Sequence, residues 1–361
     1  MNEWEYGSDY HWIDHKHSTN SSHHCYMDNG IFYSCGRGAI KALLKFLCLN
    51  NDKKTVFLPS YFCFDVTTDI LSTGINVQFY EDNPWVKTKS FPVGSITRDA
   101  IIIIVNYFGI NAKPDISDLK EKGAIVVEDH SHDVWSEWAE QSVADYCVAS
   151  LRKILPVPDG GVLWSPVQKK LPVPPRPVNS EIIASYNKLT GMLYKRMYLN
   201  NLIQDKNVFF KILKVGEVNT GLSKPSAPSP VLEKFLSTFP IDMWNKQRQE
   251  NYWFLFEKLR DNKSIEILVP EIKSFFPFSF VLLTSDAMKR EYLRKELIQN
   301  KIYPTILWSL EEVKDDIDDH SLDISRRMIS IPCDGRYTKN DLNQVSDIIT
   351  SILNPKELTI S

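Results

Sequence analysis

The sequence lacks the features of a membrane-spanning or nucleic-acid-binding protein. No apolar run reaches the roughly 18 residues that a membrane-spanning helix needs, and the first 18 residues, MNEWEYGSDYHWIDHKHS, are too polar for a signal peptide. The 42 basic and 45 acidic residues are interspersed and give a net charge of −3, so no positive field would attract nucleic acid or an anionic membrane. We therefore expect a cytoplasmic protein that binds neither nucleic acid nor a membrane.

The cysteines lack the spacing of a metal-binding or redox motif. Six are present, and no two of them form a Cys-x-x-Cys pair, which argues against a zinc ribbon. We expect free and mostly buried thiols.

The histidines are concentrated near the N-terminus, where a metal site has to be considered. Five of the eight lie within the first 24 residues: His11, His15, His17, His23 and His24. His15 and His17 could share a metal ion, but the segment offers no ordered set of carboxylates beside them. We interpret the segment as a polar arm and expect no metal site.

Apolar, strand-like runs alternate with helix-like stretches through the first part of the chain. Before these runs, GAIKALLKFL (38–47) has apolar residues at i, i+3, i+4 and i+7, which predicts a helix with one buried stripe. The alternation predicts a largely parallel sheet with helices on both faces, and in such sheets functional groups gather beyond the carboxyl ends of the strands. The strand-like runs are TVFLPSY (55–61), NVQFYED (76–82), AIIIIVNYF (100–108) and AIVVED (124–129).

Two breaks in composition divide the rest of the chain. The proline-rich LPVPPRPV (171–178) cannot continue a central strand or a helix, so we interpret it as a surface connection. The second break, SKPSAPSP (223–230), precedes a region in which short strands and amphipathic helices alternate, a pattern typical of a small α+β domain. We predict three parts: an N-terminal arm over 1–29, a large domain over 30–245 and a small domain over 246–361.

A carboxylate and an amine follow one another at positions that suit a cofactor. Asp129 ends the apolar run of AIVVEDHSH, and Lys153 follows 24 residues later in ASLRKILPVPDGGVLW. The pair suits pyridoxal phosphate (PLP), because a lysine can hold it as a Schiff base while a carboxylate keeps its pyridine nitrogen protonated. Taken alone, Lys153 could be a surface lysine and Asp129 could cap the following helix.

Four segments that follow one another in the chain resemble a known family. They are SCGRGAIKALLKFL (34–47), VFLPSYFCFDVTTDILSTGINVQFYED (56–82), VNYFGINAKPDISDLKEKGAIVVEDHSH (105–132), and the series Asp145, Ser150, Lys153, Gly160 and Gly161. From about residue 30 to the C-terminus, the sequence resembles the DegT/DnrJ/EryC1/StrS family of PLP-dependent sugar aminotransferases. The resemblance implies the aspartate-aminotransferase-like α/β fold (fold type I), with a large α/β/α domain and a small α+β C-terminal domain. It also implies a homodimer with active sites at the interface.

The resemblance also implies roles for individual residues. Asp129 falls on the family's pyridine-nitrogen aspartate, Lys153 on its Schiff-base lysine and His132 on its glutamine. His132 would contact the cofactor or the substrate, unless it is a structural histidine. Positions expected to hold the cofactor phosphate at a helix N-terminus are Gly36, Arg37, Gly38 and Ser150. Positions that resemble the substrate side, with core aromatics and a solvated arginine as the alternative, are Tyr303, Trp308, Arg336 and Tyr337.

The sequence departs from the family pattern in three places. The turn between Ser150 and Lys153 is two residues shorter. Cys63 stands where an aromatic ring often covers the cofactor, which leaves Phe62 or Phe64 to stack instead. The family's Asn-Tyr-Arg element, which reaches into the partner's site, is not recognisable in PSAPSPVLEKFL (225–236).

The function implied by the resemblance is transamination of a keto sugar carried on a nucleotide, with glutamate as amino donor, in amino sugar biosynthesis. Lys153 would hold the cofactor and then move protons as a general acid and base. One alternative is another PLP-dependent reaction, such as a dehydration, on a sugar or amino acid. Lys153 argues against dehydration, because family members that dehydrate carry histidine there. The other alternative is a cofactor-free binding or scaffold protein descended from such enzymes.

Overall fold

A computed structural model describes residues 4–14, 29–48, 54–221, 224–312 and 317–354. The strands of these residues are β1 (Tyr6–Gly7), β2 (Ile31–Tyr33), β3 (Thr55–Pro59), β4 (Asn76–Tyr80), β5 (Ile101–Val105), β6 (Ile125–Asp129), β7 (Tyr146–Ser150), β8 (Gly161–Trp164), β9 (Ile265–Ile267), β10 (Phe280–Thr284), β11 (Ile302–Tyr303) and β12 (Met328–Ile331). The helices are α1 (Gly36–Cys48), α2 (Phe64–Leu71), α3 (Ser117–Glu121), α4 (Glu137–Glu140), α5 (Leu151–Ile154), α6 (Asn179–Leu199), α7 (Asn207–Asn219), α8 (Pro230–Leu236), α9 (Ile241–Leu259), α10 (Ala287–Gln299), α11 (Asp319–Arg327) and α12 (Lys339–Leu353).

The central sheet has seven strands in the order β2-β8-β7-β6-β5-β3-β4. Its neighbouring strands run parallel, except that β8 is antiparallel to both β7 and β2. All five residues of β5, IIIIV, are buried, as expected for a parallel strand that is covered on both faces. The predicted largely parallel sheet is therefore confirmed.

Side chains of the central strands alternate between two cores, and this alternation decides which residues face the site. Ile101 and Ile103 of β5 pack in the core that contains the buried stripe of α1, whereas Ile102 and Ile104 pack in the opposite core. On β6, Val127 belongs to the α1 side. Because side chains alternate along a strand, Asp129 shares that face and points to the layer that contains α1.

The C-terminal part builds a second, smaller sheet. It has the order β12-β10-β9 and is antiparallel throughout. The boundary that the sequence analysis places between 245 and 246 falls inside α9, so this helix runs from one predicted domain into the other. The domain boundaries stay predictions.

The N-terminal segment packs along the body of the protein. Strand β1 pairs in parallel with β11, with Tyr6 opposite Ile302, and the N–H of Trp12 donates to the carbonyl of Met192 on α6 at 3.0 Å. Four histidines of the predicted arm, His15, His17, His23 and His24, lie outside the described residues.

Two further expectations concern the whole chain. The five described cysteines are free. Cys63 is half-buried, and the other four are buried: Cys35, Cys48, Cys147 and Cys333. The sixth, Cys25, lies outside the described residues. Of the helices that the structure describes, none combines the length and the apolarity needed to cross a membrane.

Candidate functional site

A cavity of about 360 Å³, here called the first cavity, lies where β6, β7 and α1 meet. Asp129 lines it from the end of β6, Ser150 from the end of β7 and Lys153 from α5. Gly36 and Arg37 line it from the first turn of α1. Five positions predicted from the sequence are thus brought together at the carboxyl ends of parallel strands, where such sheets place functional groups.

The short turn after β7 aims Lys153 at this cavity. Ser150 is the last residue of β7, and α5 is a single turn that begins at the next residue. Leu151 and Ile154 of this turn are buried in the core, which leaves Arg152 and Lys153 on its other side. Both of these side chains line the first cavity. The turn between Ser150 and Lys153 is two residues shorter than in the family pattern, but Lys153 still lines the first cavity.

The amine of Lys153 lies among aromatic rings. Its Nζ atom is 3.5 Å from Nε2 of His132 and 5.2 Å from the centre of the Trp308 ring. A cation at this distance from an indole face is attracted by the ring. The Tyr10 hydroxyl donates to the carbonyl of Lys153 at 3.3 Å, so the N-terminal segment also contacts this turn.

His132 is held rigidly and in one tautomer. Its Nδ1 atom accepts the backbone N–H of Phe108 at 3.0 Å, so the neutral ring carries its hydrogen on Nε2, toward Lys153. The ring is stacked against Phe278, Phe108 and Trp308, with 4.7, 5.2 and 5.5 Å between the ring centres. Burial, followed by the charge of Lys153, lowers the pKa of His132 well below its ordinary value. His132 can therefore donate from Nε2 to a neutral amine or an oxygen atom, but not to a charged ammonium, and it is poorly suited to take up a proton.

Asp129 does not cap the following helix. Its Oδ1 atom accepts the N–H of Ser131 at 2.8 Å, whereas the cap of α4 is Ser136, whose side chain accepts the N–H of Ala139. The side chain of Asp129 is nearly buried at the cavity wall. The capping alternative raised by the sequence is therefore wrong for this residue.

Glycines let α1 start close to the ends of β7 and β8. A Cβ atom on Gly36 would lie 2.9 Å from the Cβ of Ser150, and one on Gly161 would lie 2.3 Å from the carbonyl carbon of Cys35. Side chains at either position would force the strands away from the helix. The N–H of Gly38 is directed at Cys35 Sγ at 3.3 Å, so it is engaged within the turn.

The guanidinium of Arg37 lines the first cavity and is already partnered. It donates to the carbonyl of Thr220 at 2.9 Å, and it lies 3.6 Å from an oxygen of Asp69 and 4.0 Å from one of Asp65. Two carboxylates therefore offset its charge. A phosphate in the cavity would meet the backbone of the α1 N-terminus and this partly balanced cation.

Of the two rings considered for stacking on a cofactor, Phe64 is the one that lines the first cavity, together with Cys63. Phe62 is buried and packs edge-on against Trp308, with 6.4 Å between the ring centres. Trp308 itself lines the cavity. Phe62 thus supports the wall from behind and does not line the first cavity, and the cofactor contact predicted for it stays a prediction.

The predicted substrate-side residues separate into two places. Trp308 lines the first cavity. Tyr303 lines a second cavity of about 450 Å³, and its hydroxyl accepts a hydrogen bond from Lys206 at 2.9 Å.

Arg336 and Tyr337 lie at the N-terminal segment instead. Arg336 forms a paired contact with the carboxylate of Asp334, at 2.8 Å for each oxygen, and donates to the carbonyl of Asp9 at 3.1 Å. The hydroxyl of Tyr337 accepts the N–H of Gly7 at 2.8 Å. Neither residue lines the two cavities described above, and both fasten the N-terminal segment to the C-terminal part.

Three charged residues near Lys153 were not predicted from the sequence. Arg152 lines both cavities, Lys188 lines the second and Glu217 lines the first. The sequence did contain a signal for Lys188. Lys188 and Lys195 lie on the same face of α6 as its buried residues. A lysine on a buried face needs a partner for its charge.

No family model and no curated protein matches the sequence. Solved structures do match its fold. The chain is similar to DesI, solved in the presence of its TDP-sugar product, with a TM-score of 0.63 and 14% identity over 91% of this chain and 82% of that one. It is similar to DesV of S. venezuelae in complex with a ketimine intermediate, with a TM-score of 0.59 and 15% identity over 91% of this chain and 86% of that one. It is also similar to the sugar aminotransferase CalS13 from Micromonospora echinospora, with a TM-score of 0.58 and 16% identity over 89% and 87% of the two chains. The chain therefore has the predicted α/β architecture of the fold-type-I PLP-dependent transferases.

Proposed function

We propose that this chain is a PLP-dependent aminotransferase that moves an amino group from glutamate to a keto sugar carried on a nucleotide. The observation that carries the proposal is that Lys153, Asp129 and Ser150 line one cavity at the N-terminus of α1. The shared fold with a sugar aminotransferase and with a protein solved beside its TDP-sugar product supports the substrate class. When bound, PLP supplies an electron sink that stabilises negative charge on the substrate carbon.

The residues of the first cavity fit this cofactor. Its volume of about 360 Å³ lies in the usual range of small-molecule sites. The N-terminus of α1, a helix of 13 residues, and the hydroxyl of Ser150 would hold the phosphate. The carboxylate of Asp129 would keep a proton on the pyridine nitrogen. The other two carboxylates of the cavity, Asp65 and Glu217, lie beside Arg37 and Arg152, so they do not leave the phosphate site with unbalanced negative charge.

The side chains then have distinct tasks. Lys153 would anchor the cofactor, leave it when the donor amine binds, and move a proton at the substrate carbon. His132, with its hydrogen on Nε2, would donate to the Lys153 nitrogen when that nitrogen is neutral and so help to hold it in place. Phe278 and Trp308, stacked on His132, would exclude water from this side of the site.

The experiment that tests the function is a spectral titration in two stages. Glutamate added to the protein loaded with PLP should shift the visible absorption to that of the aminated cofactor. A nucleotide-linked keto sugar should then restore the original spectrum and yield an amino sugar. Restoration without an amino sugar would favour another PLP-dependent reaction. Failure to hold PLP would favour a binding or scaffold protein.

A homodimer is part of the same proposal. Large apolar side chains are exposed along one side of α6, at spacings that return to the same helix face: Ile183, Tyr186, Leu193 and Met197, with exposed fractions of 60%, 47%, 42% and 36%. Lys188 and Met192, which line the second cavity, lie on the same helix. A second copy of the chain on this face would cover the apolar stripe next to the site.

The division into an arm (1–29), a large domain (30–245) and a small domain (246–361) belongs to the proposal as well. The separate antiparallel sheet of β9, β10 and β12 supports it. We also propose a cytoplasmic location, which fractionation of the producing cells would test.

A further inference from the structure

The second cavity shares a wall with the first. Arg152 and Lys153 line both of them. The second cavity, at about 450 Å³, is the larger of the two. Its other lining residues come from α6 and α7, from β11 and the two residues after it, from Val157 and Phe278, and from Ser8, Asp9 and Tyr10 of the N-terminal segment. A molecule in it would lie next to the amine that the proposed function makes reactive.

Positive charge dominates this wall. Arg152, Lys153 and Lys188 line the second cavity, against the single carboxylate of Asp9. One further carboxylate, Glu217, neutralises part of this charge and is shared by two cations. Arg152 binds it through both terminal nitrogens, at 2.8 and 3.3 Å, and Lys188 forms a very short contact with the same carboxylate.

Hydrogen-bond donors outnumber acceptors in this cluster. Glu217 offers two oxygens, which already receive three donor groups from Arg152 and Lys188. The Nε atom of Arg152 is buried and has no hydrogen-bond partner among the described residues. A buried donor without an acceptor costs free energy, and a charged one costs more. An oxyanion in the second cavity would accept from the N–H groups of Lys188 and Arg152 that Glu217 does not take up.

The titration behaviour of the cluster agrees with a surplus of positive charge. Burial, followed by the nearby charge of Arg152, lowers the pKa of Lys188. Although burial alone raises the pKa of Glu217, the charges of Arg152 and Lys188 more than compensate and lower it well below its ordinary value. An additional anion would be stabilised here for the same reason that Glu217 stays ionised.

We propose that Lys188 and Arg152 form an oxyanion-binding site that holds the anionic group of a substrate in the second cavity, beside Lys153. This inference rests on the proposed function for the identity of that substrate. The shared chemistry is a carboxylate or phosphate oxygen, which would come from the amino donor or from the diphosphate of the sugar nucleotide. The apolar wall formed by Met192, Leu213 and Phe278 would contact the body of the same molecule.

Calorimetric titration of the PLP-loaded protein tests the site with two probes that cannot react. Glutarate has the carboxylates of the donor without its amine, and inorganic pyrophosphate represents the diphosphate of the acceptor. We expect at least one probe to bind. Lys188→Gln should weaken that binding about tenfold or more, because a charge-assisted bond is lost. Asp9→Asn should strengthen it, since the opposing carboxylate disappears.

The matched control is Lys211→Gln, at an exposed lysine of the adjacent helix α7 that lies outside the lining of either cavity, and it should leave binding unchanged. The probe that depends on Lys188 identifies the source of the oxyanion. Binding of neither probe would overturn the site, as would affinities that are the same in the parent, Lys188→Gln and Asp9→Asn. Should Lys188→Gln fail to fold, Asp9→Asn alone decides, and an unchanged affinity in it overturns the site.

The two proposals can fail separately. Visible absorption of the cofactor on Lys153 is recorded in the same samples. If absorption persists while Lys188→Gln has no effect on probe binding, the oxyanion site is wrong and the proposed function stands. If absorption is missing while probe binding still depends on Lys188, the proposed function is wrong and the oxyanion site stands.

Discussion

The Nζ atom of Lys153 lies 3.5 Å from Nε2 of His132, and the other ring nitrogen accepts the N–H of Phe108 at 3.0 Å. The backbone therefore fixes which nitrogen carries the hydrogen. Because the ring is also stacked against three aromatic residues, it cannot turn without repacking them. His132 is better suited to positioning Lys153 than to exchanging protons with it.

Lys153→Ala should abolish turnover while the protein still binds PLP without a covalent bond. In the parent, borohydride should fix the cofactor covalently, and peptide mapping should place the adduct on Lys153. Lys211→Ala, a change at an exposed position of α7, should behave like the parent. An adduct mapped to any other lysine would remove Lys153 from its assigned role.

Asp129→Asn should keep the fold and reduce kcat by about 100-fold or more, because the neutral amide no longer stabilises a proton on the pyridine nitrogen. The amide oxygen can still accept the N–H of Ser131, which Asp129 Oδ1 accepts at 2.8 Å, so circular dichroism should be unchanged. Asp65→Asn changes another carboxylate of the same cavity and should cost much less activity. Equal turnover in the parent and in Asp129→Asn would contradict the role.

His132→Gln should reduce turnover less than Asp129→Asn does, and it should change the dependence of stability on pH. Burial, then Lys153, lowers the pKa of His132 well below the ordinary 6.5. Below about pH 6.5 the unfolded chain binds a proton that the folded protein does not, so the parent loses stability as the pH falls. The glutamine variant lacks this loss. Chemical denaturation at pH 7.5 and pH 5 should therefore show the stability gap between parent and variant narrowing at pH 5, and a constant gap would refute the buried neutral state.

Glu5→Gln should destabilise the protein by about 3 kcal/mol, the usual cost of breaking a buried ion pair. Glu5 lies 2.9 Å from the ammonium of Lys195, which is 1% exposed, and 2.7 Å from that of Lys206. Removing its charge leaves Lys195 buried without an ionised partner. Urea denaturation measures the change. Glu250→Gln, at an exposed pair with Lys246 on α9, is the control and should stay within about 0.5 kcal/mol of the parent.

Ile183→Lys should convert the expected dimer into a monomer, because it places a charge on the exposed apolar stripe of α6. Light scattering coupled to size exclusion gives the mass of each species. Val269→Lys, at another exposed apolar side chain that is 50% accessible, should leave the mass unchanged. A parent protein that is monomeric while it holds PLP would rule out the interface.

Much of the fold and part of the site followed from local patterns. Apolar runs predicted β3, β4, β5 and β6, and Asp129 at the end of β6 shares one cavity with Ser150 of β7. The direction of Lys153 could not be read from the sequence, because it depends on which residues of a single turn are buried. The placement of Arg336 and Tyr337 depends on contacts with Asp9 and Gly7, more than 300 positions away in the sequence, and no periodicity reports such contacts.

No Asn-Tyr-Arg element is recognisable in residues 225–236, and the structure shows where this segment packs. The segment after residue 224 folds back on its own chain, where the carbonyl of Ser226 accepts the N–H of Ser34 at 2.9 Å. Pro225 also approaches the start of α1, since a Cβ atom on Gly38 would lie 3.9 Å from its Cα. The sequence alone does not indicate this packing, because the contacts join residues that are far apart in the chain.

The pairing of β1 with β11 has a mechanical consequence for the second cavity. Ser8, Asp9 and Tyr10 follow β1 directly, and Tyr303 belongs to β11, yet all four border the same space. Two segments that are far apart in the sequence are thus joined by backbone hydrogen bonds into one wall. A shift of β11 would carry the N-terminal segment with it, so the width of the second cavity depends on the position of β11.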